Sequence, residues 1–356
     1  MTAQVSRVQD FDTLDVTKSV RSRDVSGAVE RLTALVERDM DRVNQTIIAN
    51  MQSDVALIPQ LAGYLIASGG KRLRPLLTLA SARLCGLTQG DEAINLAASV
   101  EFIHTATLLH DDVVDDSSLR RGAASANAVW GNKASVLVGD FLYSRAFQLM
   151  VADRNLATLK TLADASAVIA SGEVAQLTTA NDLGTNHQDY LDVIEAKTAA
   201  LFAAACQVGA EAARAPEAEI EALRTYGHNL GMAFQLIDDA LDYSADQEKL
   251  GKSVGDDFAE GKVTLPVLLA YEHGDADEQD FWRRTIERLD QNDGDLDRAK
   301  ALIARHDAIA GTVAAAERYG ARATAALASL PPLADGAQDI REALEDVITF
   351  CVVRGH

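Results

Sequence analysis

The sequence predicts an all-α protein. Apolar residues recur at helical spacing, Ala and Leu fill long proline-free stretches, and no period-two alternation is long enough for a sheet. The 356 residues are 48% hydrophobic with only 6 prolines, ample for one large core or two ordinary domains.

Taken in order, residues 1–25 are polar and unpatterned, and are expected to form a loosely ordered arm ahead of a single helical domain over 26–356. Val29, Leu32, Val36, Met40, Val43 and Ile47 follow at spacings of 3, 4, 4, 3 and 4, which predicts a helix through that segment. A second helix runs to "IASGG", where Gly69 and Gly70 suit a C-terminus. Pro75 then suits the first turn of the next helix. No proline lies between Pro75 and Pro216, and this region reads as several long helices. Helices continue through 217–247 and, more amphipathic, from about 276 to the end, interrupted by "LPPLADG" at 330–336. No composition shift or short repeat demands a second domain.

The chain carries 33 basic and 53 acidic residues, a formal charge of −20. Nucleic acid is thereby excluded as an expected partner, because its phosphates would be repelled. Cys85, Cys206 and Cys351 are far apart in apolar surroundings, as befits reduced thiols of a cytoplasmic protein. The N-terminus lacks the apolar core of a secretory signal, and no uninterrupted apolar run approaches the roughly 20 residues of a membrane span. The expectation is a soluble, cytoplasmic protein.

The chemistry concentrates in two echoing stretches, "LLHDDVVDD" at 108–116 and "QLIDDALDY" at 235–243. Each sets Asp-Asp-x-x-Asp at the end of an apolar helix. Residues three and four apart share a helix face, so Asp111 and Asp112 neighbour Asp115, while Asp238 and Asp239 neighbour Asp242. Clustered carboxylates are stable together when divalent cations neutralise them, and oxygen-only ligands favour Mg²⁺. Because Mg²⁺ combines one or two carboxylates with substrate phosphates, two such clusters suit a diphosphate substrate. Cations are gathered nearby: "GGKRLRP" holds Lys71, Arg72 and Arg74, and Arg120 and Arg121 follow the first motif. Lys197 and Thr198 interrupt an apolar helix, and Lys252 and Lys262 follow the second motif. Arginine forks and glycine-rich backbone match phosphate oxygens. His104 lies about two turns before Asp111 on the same predicted helix.

These motifs ("GGKRLRP", "HDDVVDDSSLRRG", "AKT", "FQLIDDALDY" and "GKSVGDDFAEGKVTLP") occur in the order found in the trans-prenyltransferase family, the polyprenyl diphosphate synthases, and the chain resembles that family over about residues 30–352. "NAVWGNKASVLVGDFLYSRAFQLM" is most similar to the bacterial long-chain members that make octaprenyl, solanesyl or decaprenyl diphosphate for quinones. The resemblance implies an isoprenoid synthase-type helical bundle around a deep central cavity, commonly a homodimer. It implies transfer of an allylic prenyl diphosphate onto successive isopentenyl diphosphates with three Mg²⁺ ions. By matched position, Asp111, Asp115 and Asp238 are implied metal ligands, supported by Asp112, Asp239 and Asp242. Lys71, Arg74, His104 and Arg121 are implied to hold isopentenyl diphosphate. Arg120, Lys197, Thr198, Gln235, Lys252 and Lys262 are implied to hold the allylic diphosphate or flank its reacting carbon.

Ala106 lies five residues before Asp111, roughly 7–8 Å deeper along the helix. In the family a bulky aromatic at this level stops growth early; alanine here, with Thr107 beside it, implies an open tunnel and a long product. Octaprenyl, solanesyl and decaprenyl products stay open, with a shorter-chain synthase or a non-catalytic subunit as alternatives. Both aspartate motifs are intact, which speaks against the subunit. A ferritin-like bundle would need a second copy of the Glu101–His104 Glu-x-x-His pattern, and none is present. A cyclase or head-to-head condensing enzyme needs no isopentenyl site, so "GGKRLRP" and His104 favour chain elongation. Long products are insoluble, which leaves room for transient membrane contact, although no basic amphipathic anchor is evident. Arg354, near the C-terminus, is given no substrate role, and Asp116 has none assigned.

Overall fold

The helix containing "EAKTAALFAAACQVGAEA" is almost wholly buried. The structure, a computed structural model, describes residues 25, 27–67, 70–120, 123–244, 255–331 and 337–354. The expected arm through residue 24, together with Arg121 and Lys252, lies outside the described residues.

In chain order the helices are α1 (Ala28–Leu35), α2 (Glu37–Asn50), α3 (Leu57–Ala67), α4 (Leu73–Leu84) and α5 (Glu92–Val114). A two-residue hairpin, β1 (Leu119–Arg120) and β2 (Ala123–Ala124), precedes α6 (Ala126–Trp130), α7 (Asn132–Ala152) and α8 (Leu156–Thr179). Helix α9 starts as His187–Ile194, loosens into a π turn at Glu195–Ala199 and continues as Ala200–Ala212. Then come α10 (Glu217–Ser244), α11 (Asp256–Ala259), α12 (Leu265–His273), α13 (Ala276–Trp282, ending in a second π turn Arg283–Glu287), α14 (Asp295–Arg305), α15 (Ala308–Ala328) and α16 (Ala337–Val353).

The stripe from Val29 to Ile47 makes two helices rather than one. The chain breaks at Val36 (φ −124°), whose N–H turns back to Thr33, yet Val29, Leu32, Val36, Met40, Val43 and Ile47 all remain buried. Helix α9 packs against α4, α5, α8 and α10. Glycines let the backbones close in: a Cβ on Gly209 would stand 2.3 Å from the Thr78 carbonyl oxygen, and one on Gly231 2.7 Å from the Ala199 Cα. By length and composition α9, at His187–Ala212, could cross a membrane, but 67% of its apolar window is already buried in the bundle. A second apolar cluster, including Tyr243, Phe258, Trp282, Ile286 and Ile303, packs α11 to α14 beneath the end of α10. That satellite core brings the loop after the second aspartate motif back to the end of the first.

Candidate active site

The ends of α5 and α10 bring the two aspartate motifs to one rim. Asp115, Asp238, Asp242, Asp256, Asp257 and Glu260 line a cavity of about 720 Å³ together with Arg120 and Lys262. Lys262 stands at the centre of this acidic wall, with its ammonium 3.6 Å from Asp115, 3.7 Å from Asp257 and 2.5 Å from Glu260. Burial alone would lower its pKa; the carboxylates of Asp257, Glu260 and Asp115 outweigh that and raise it. Asp242 shapes the return loop, since its carboxylate accepts from the Asp257 N–H at 3.1 Å and its carbonyl from the Gly255 N–H at 3.0 Å. Burial, then Asp257, push its carboxyl up to about 7. Burial likewise pushes Asp111 up to about 6, with Glu173 and Asp115 adding to the effect and Lys197 opposing it.

A second cavity, behind the first, is lined by Gln176, Tyr190, Lys197, Thr198, Gln235, Asp239, Lys262 and Thr264 among others. Lys197 and Thr198 reach it from the π turn, a local widening that helices often carry at functional sites. Neighbours approach that turn closely: a Cβ on Gly172 would stand 2.5 Å from the Ala196 Cβ. The Lys197 ammonium lies 3.0 Å from Glu173, 3.1 Å from Gln176 and 3.8 Å from Asp111. The Thr198 hydroxyl donates to Gln235 Oε1 at 2.8 Å, and the Gln235 amide donates to Asp239 Oδ1 at 2.7 Å.

On the far side of α5 and α9, guanidinium and ammonium groups rest on aromatic faces. Arg74 sits 4.3 Å over Phe202 and 3.2 Å from His104 Nε2. Phe202 packs 5.5 Å from Phe234, and Arg354 lies 4.2 Å over Phe234. Lys71 lies 4.5 Å over Phe350. Such contacts orient a cation while leaving its outer N–H groups for an anion. Arg72 turns instead to Asn44.

Several expectations change. Asp112 does not face the acidic cavity beside Asp115. It is almost fully buried, and Arg120 Nε and Nη2 hold its Oδ1 at 2.7 and 2.6 Å, because one residue of helix rotates it about 100° away from Asp111. Arg120 is thereby tied to the protein as well as lining the acidic cavity. Asp239 has both oxygens occupied, one by Gln235 and the other by Tyr190 at 2.6 Å. Ala106 is fully enclosed. It shares the flank of α5 that carries Ser99, bonded to the Ala146 carbonyl at 3.4 Å, and His110, packed against Gly139, so that flank faces α7. Thr107, half-buried, returns its hydroxyl to the His104 carbonyl at 2.7 Å. Asp116 is exposed, in the left-handed region at φ 47°.

Sequence reasoning overlooked Asp256, Asp257 and Glu260, although they sit in the same "GDDFAEGK" stretch as Lys262. It also overlooked Glu173, Gln176 and Tyr190, and it gave no role to Arg354, which lies over Phe234. No local pattern flags these, since each gains its neighbour only through helix packing.

The profile of the family described as Polyprenyl synthetase matches residues 55–303. The chain belongs to that family. It is 47% identical over 304 residues to the octaprenyl diphosphate synthase of Haemophilus influenzae, covering 85% of this chain and 92% of the relative. A solved polyprenyl synthase from Caulobacter crescentus, complexed with calcium and isoprenyl diphosphate, superposes with a TM-score of 0.88 at 54% identity, covering 92% of this chain and 98% of the other. A decaprenyl diphosphate synthase from Rhodobacter capsulatus does so with a TM-score of 0.87 at 49% identity, covering 92% and 99%. The enzyme is therefore a prenyltransferase of the chain-elongating, long-chain kind, on the helical fold that the motifs implied.

Proposed function

We propose that the enzyme joins an allylic prenyl diphosphate to successive isopentenyl diphosphates, reaching octaprenyl to decaprenyl length, for the side chain of a quinone. The observation that carries this reading is the convergence of two Asp-Asp-x-x-Asp helix ends on one cavity, backed by the cavity holding Lys197, Thr198 and Gln235. The donor set fits Mg²⁺: it is oxygen only, and burial and mutual repulsion push Asp111 and Asp242 upward as carboxylates short of counter-charge. Among the described residues no three His, Cys, Asp or Glu side chains converge tightly enough to hold an ion alone.

Asp111, Asp115 and Asp238 would hold three such ions, with Asp242 fixing the loop beside them. When bound, the ions neutralise the departing diphosphate as Lewis acids. Lys197, Lys262 and Arg120 place fixed positive charge around the allylic diphosphate. Thr198 and Gln235 present oxygens where positive charge develops on the reacting carbon, in a cavity that limits water. Arg74, Lys71 and His104 orient isopentenyl diphosphate so that its double bond attacks that carbon. The proton then lost goes to the released diphosphate, and no side-chain base is assigned.

The reading extends to a cytoplasmic homodimer, with transient membrane contact for product release. Dimerisation is supported by exposed apolar residues along α7 and α8, including Leu137 at 67% and Val174 at 64% exposure, with Phe147, Val151 and Leu177 beside them. The purified protein, given labelled isopentenyl diphosphate, an allylic primer and Mg²⁺, is expected to yield long chains on chromatography of the dephosphorylated products. Only short chains would refute the length, and no product would refute independent catalysis.

A further inference from the structure

Lys262 lines both the acidic cavity and the inner one, and the backbone that carries it is held from outside the site. Asn181, two residues beyond α8, donates from its side-chain amide to the Gly261 and Ile286 carbonyls, each at 3.1 Å, with the Glu260 carbonyl at 3.5 Å. Backbone carbonyls can only accept, so these partners fix which end of the amide faces them; reversed, its oxygen would meet theirs. The Lys262 N–H donates to the Asp257 carbonyl at 2.8 Å. The planar peptide unit joining Gly261 to Lys262 is thus held at its oxygen and at its nitrogen. Gly261 permits this, with φ +68° and so little room that a Cβ would stand 2.2 Å from Asn181 Nδ2. The Ile286 carbonyl lies in the last turn of the second π turn, where helical partners run out, and Ile286 itself is packed in the satellite core. Gln291 makes a matching brace: its amide donates to the Phe258 carbonyl at 2.7 Å and the Thr285 carbonyl at 3.0 Å. It ties α11 to the same π turn without touching the Lys262 peptide.

We propose that Asn181 is a positioning residue for Lys262. By pinning the peptide before that residue, it sets where the ammonium stands between the two cavities before the allylic diphosphate arrives. This inference rests on the role given to Lys262 in the transfer reaction proposed above. The physical advantage is preorganisation. A lysine is a point charge on a flexible four-carbon stem, so its reach is only as well defined as its Cα. A charge fixed in advance costs no reorganisation when the substrate binds.

The test uses the full-length enzyme and a geranyl diphosphate analogue with sulfur in place of the bridging oxygen, titrated calorimetrically with Mg²⁺ and without isopentenyl diphosphate. Asn181→Gly keeps the left-handed backbone at φ 61° and removes only the amide. It should weaken analogue binding by about 10-fold, the scale of one hydrogen bond to a charged group, while the KM for isopentenyl diphosphate stays within about 2-fold. Asn181→Asp is equal in shape and tolerates the left-handed region. It sets oxygen against the carbonyls and should lose at least as much, which keeps the test available should Asn181→Gly fold poorly. Combined with Lys262→Ala, either variant should lose no more than Lys262→Ala alone. Gln291→Ala should lower the denaturant midpoint as Asn181→Gly does, yet leave analogue affinity within about 2-fold. Full affinity in both Asn181 variants, losses that multiply in the double variant, or an equal loss in Gln291→Ala would overturn the positioning role. Full affinity in Lys262→Ala would overturn it together with the role of Lys262. Absence of product from the wild type with both natural substrates would instead overturn the proposed reaction, whatever the analogue reports.

Discussion

Asp111 and Asp112 are adjacent in sequence and differ in environment. Asp111 lies 3.8 Å from Lys197, whereas Asp112 is paired with Arg120. Replacing Lys197 with alanine removes the fixed charge shared by Asp111, Glu173 and Gln176. The expected result is a loss of about 10²–10³-fold in kcat, as for other preorganised electrostatic groups, measured by steady-state kinetics; a change confined to KM would contradict it. The three cysteines form a separate case. Burial pushes the Cys206 thiol up to about 12 and Cys351 to about 11, while burial and then Glu219 push Cys85 to about 12. A thiol with a raised pKa is neutral at pH 8, and the thiolate is the reactive form. Alkylation of all three at pH 8 should therefore run at least about 100-fold slower in the native protein than in denaturant, followed by mass spectrometry. Fast labelling of half-buried Cys85 would show that its thiol is not held neutral.

At the scale of elements, the π turn of α9 is set by what packs against it. Gly231 of α10 lies so close to Ala199 that any side chain must displace the turn. Gly231→Val should cost about 1–3 kcal/mol by overpacking, read as a lower denaturant midpoint, and should reduce kcat because Lys197 and Thr198 move with the turn. A stability loss with full kcat would separate the packing from the chemistry. The α5–α7 seam changes the expectation for product length. Since Ala106 is enclosed on the flank facing α7, Ala106→Phe must push against α7. We expect shorter products on chromatography together with about 1–3 kcal/mol lower stability. Long products from a destabilised variant would confine this residue to packing.

At the scale of the whole molecule, the main core and the satellite core divide the work. The main core fixes α5, α9 and α10 relative to one another; the satellite core carries Asp256, Asp257, Glu260 and Lys262 back onto the first motif. Asn181, just beyond α8, ties the two together by donating to the Gly261 and Ile286 carbonyls, each at 3.1 Å. The exposed apolar residues along α7 and α8 are those assigned to the proposed dimer. Light scattering should give twice the 38.0 kDa chain mass for the wild type, and 38.0 kDa for Leu137→Glu combined with Phe147→Glu. A monomeric wild type would refute the dimer.

By itself the sequence determined the helical class, the placement of most helices and the residue types of the site. Helical spacing and Asp-Asp-x-x-Asp repeats are local properties, and an i, i+4 pair shares a helix face whatever surrounds it. Tertiary structure decided which carboxylates do what. The 100° step from Asp111 to Asp112 matters only because Arg120 waits on one side and Lys197 on the other. Tyr190 reaches Asp239 across 49 residues of sequence. The break at Val36, the enclosure of Ala106 and the arrival of Arg354 over Phe234 likewise depend on neighbours distant in the chain. Periodicity states which face of a helix is apolar; only the packed helices state what that face meets.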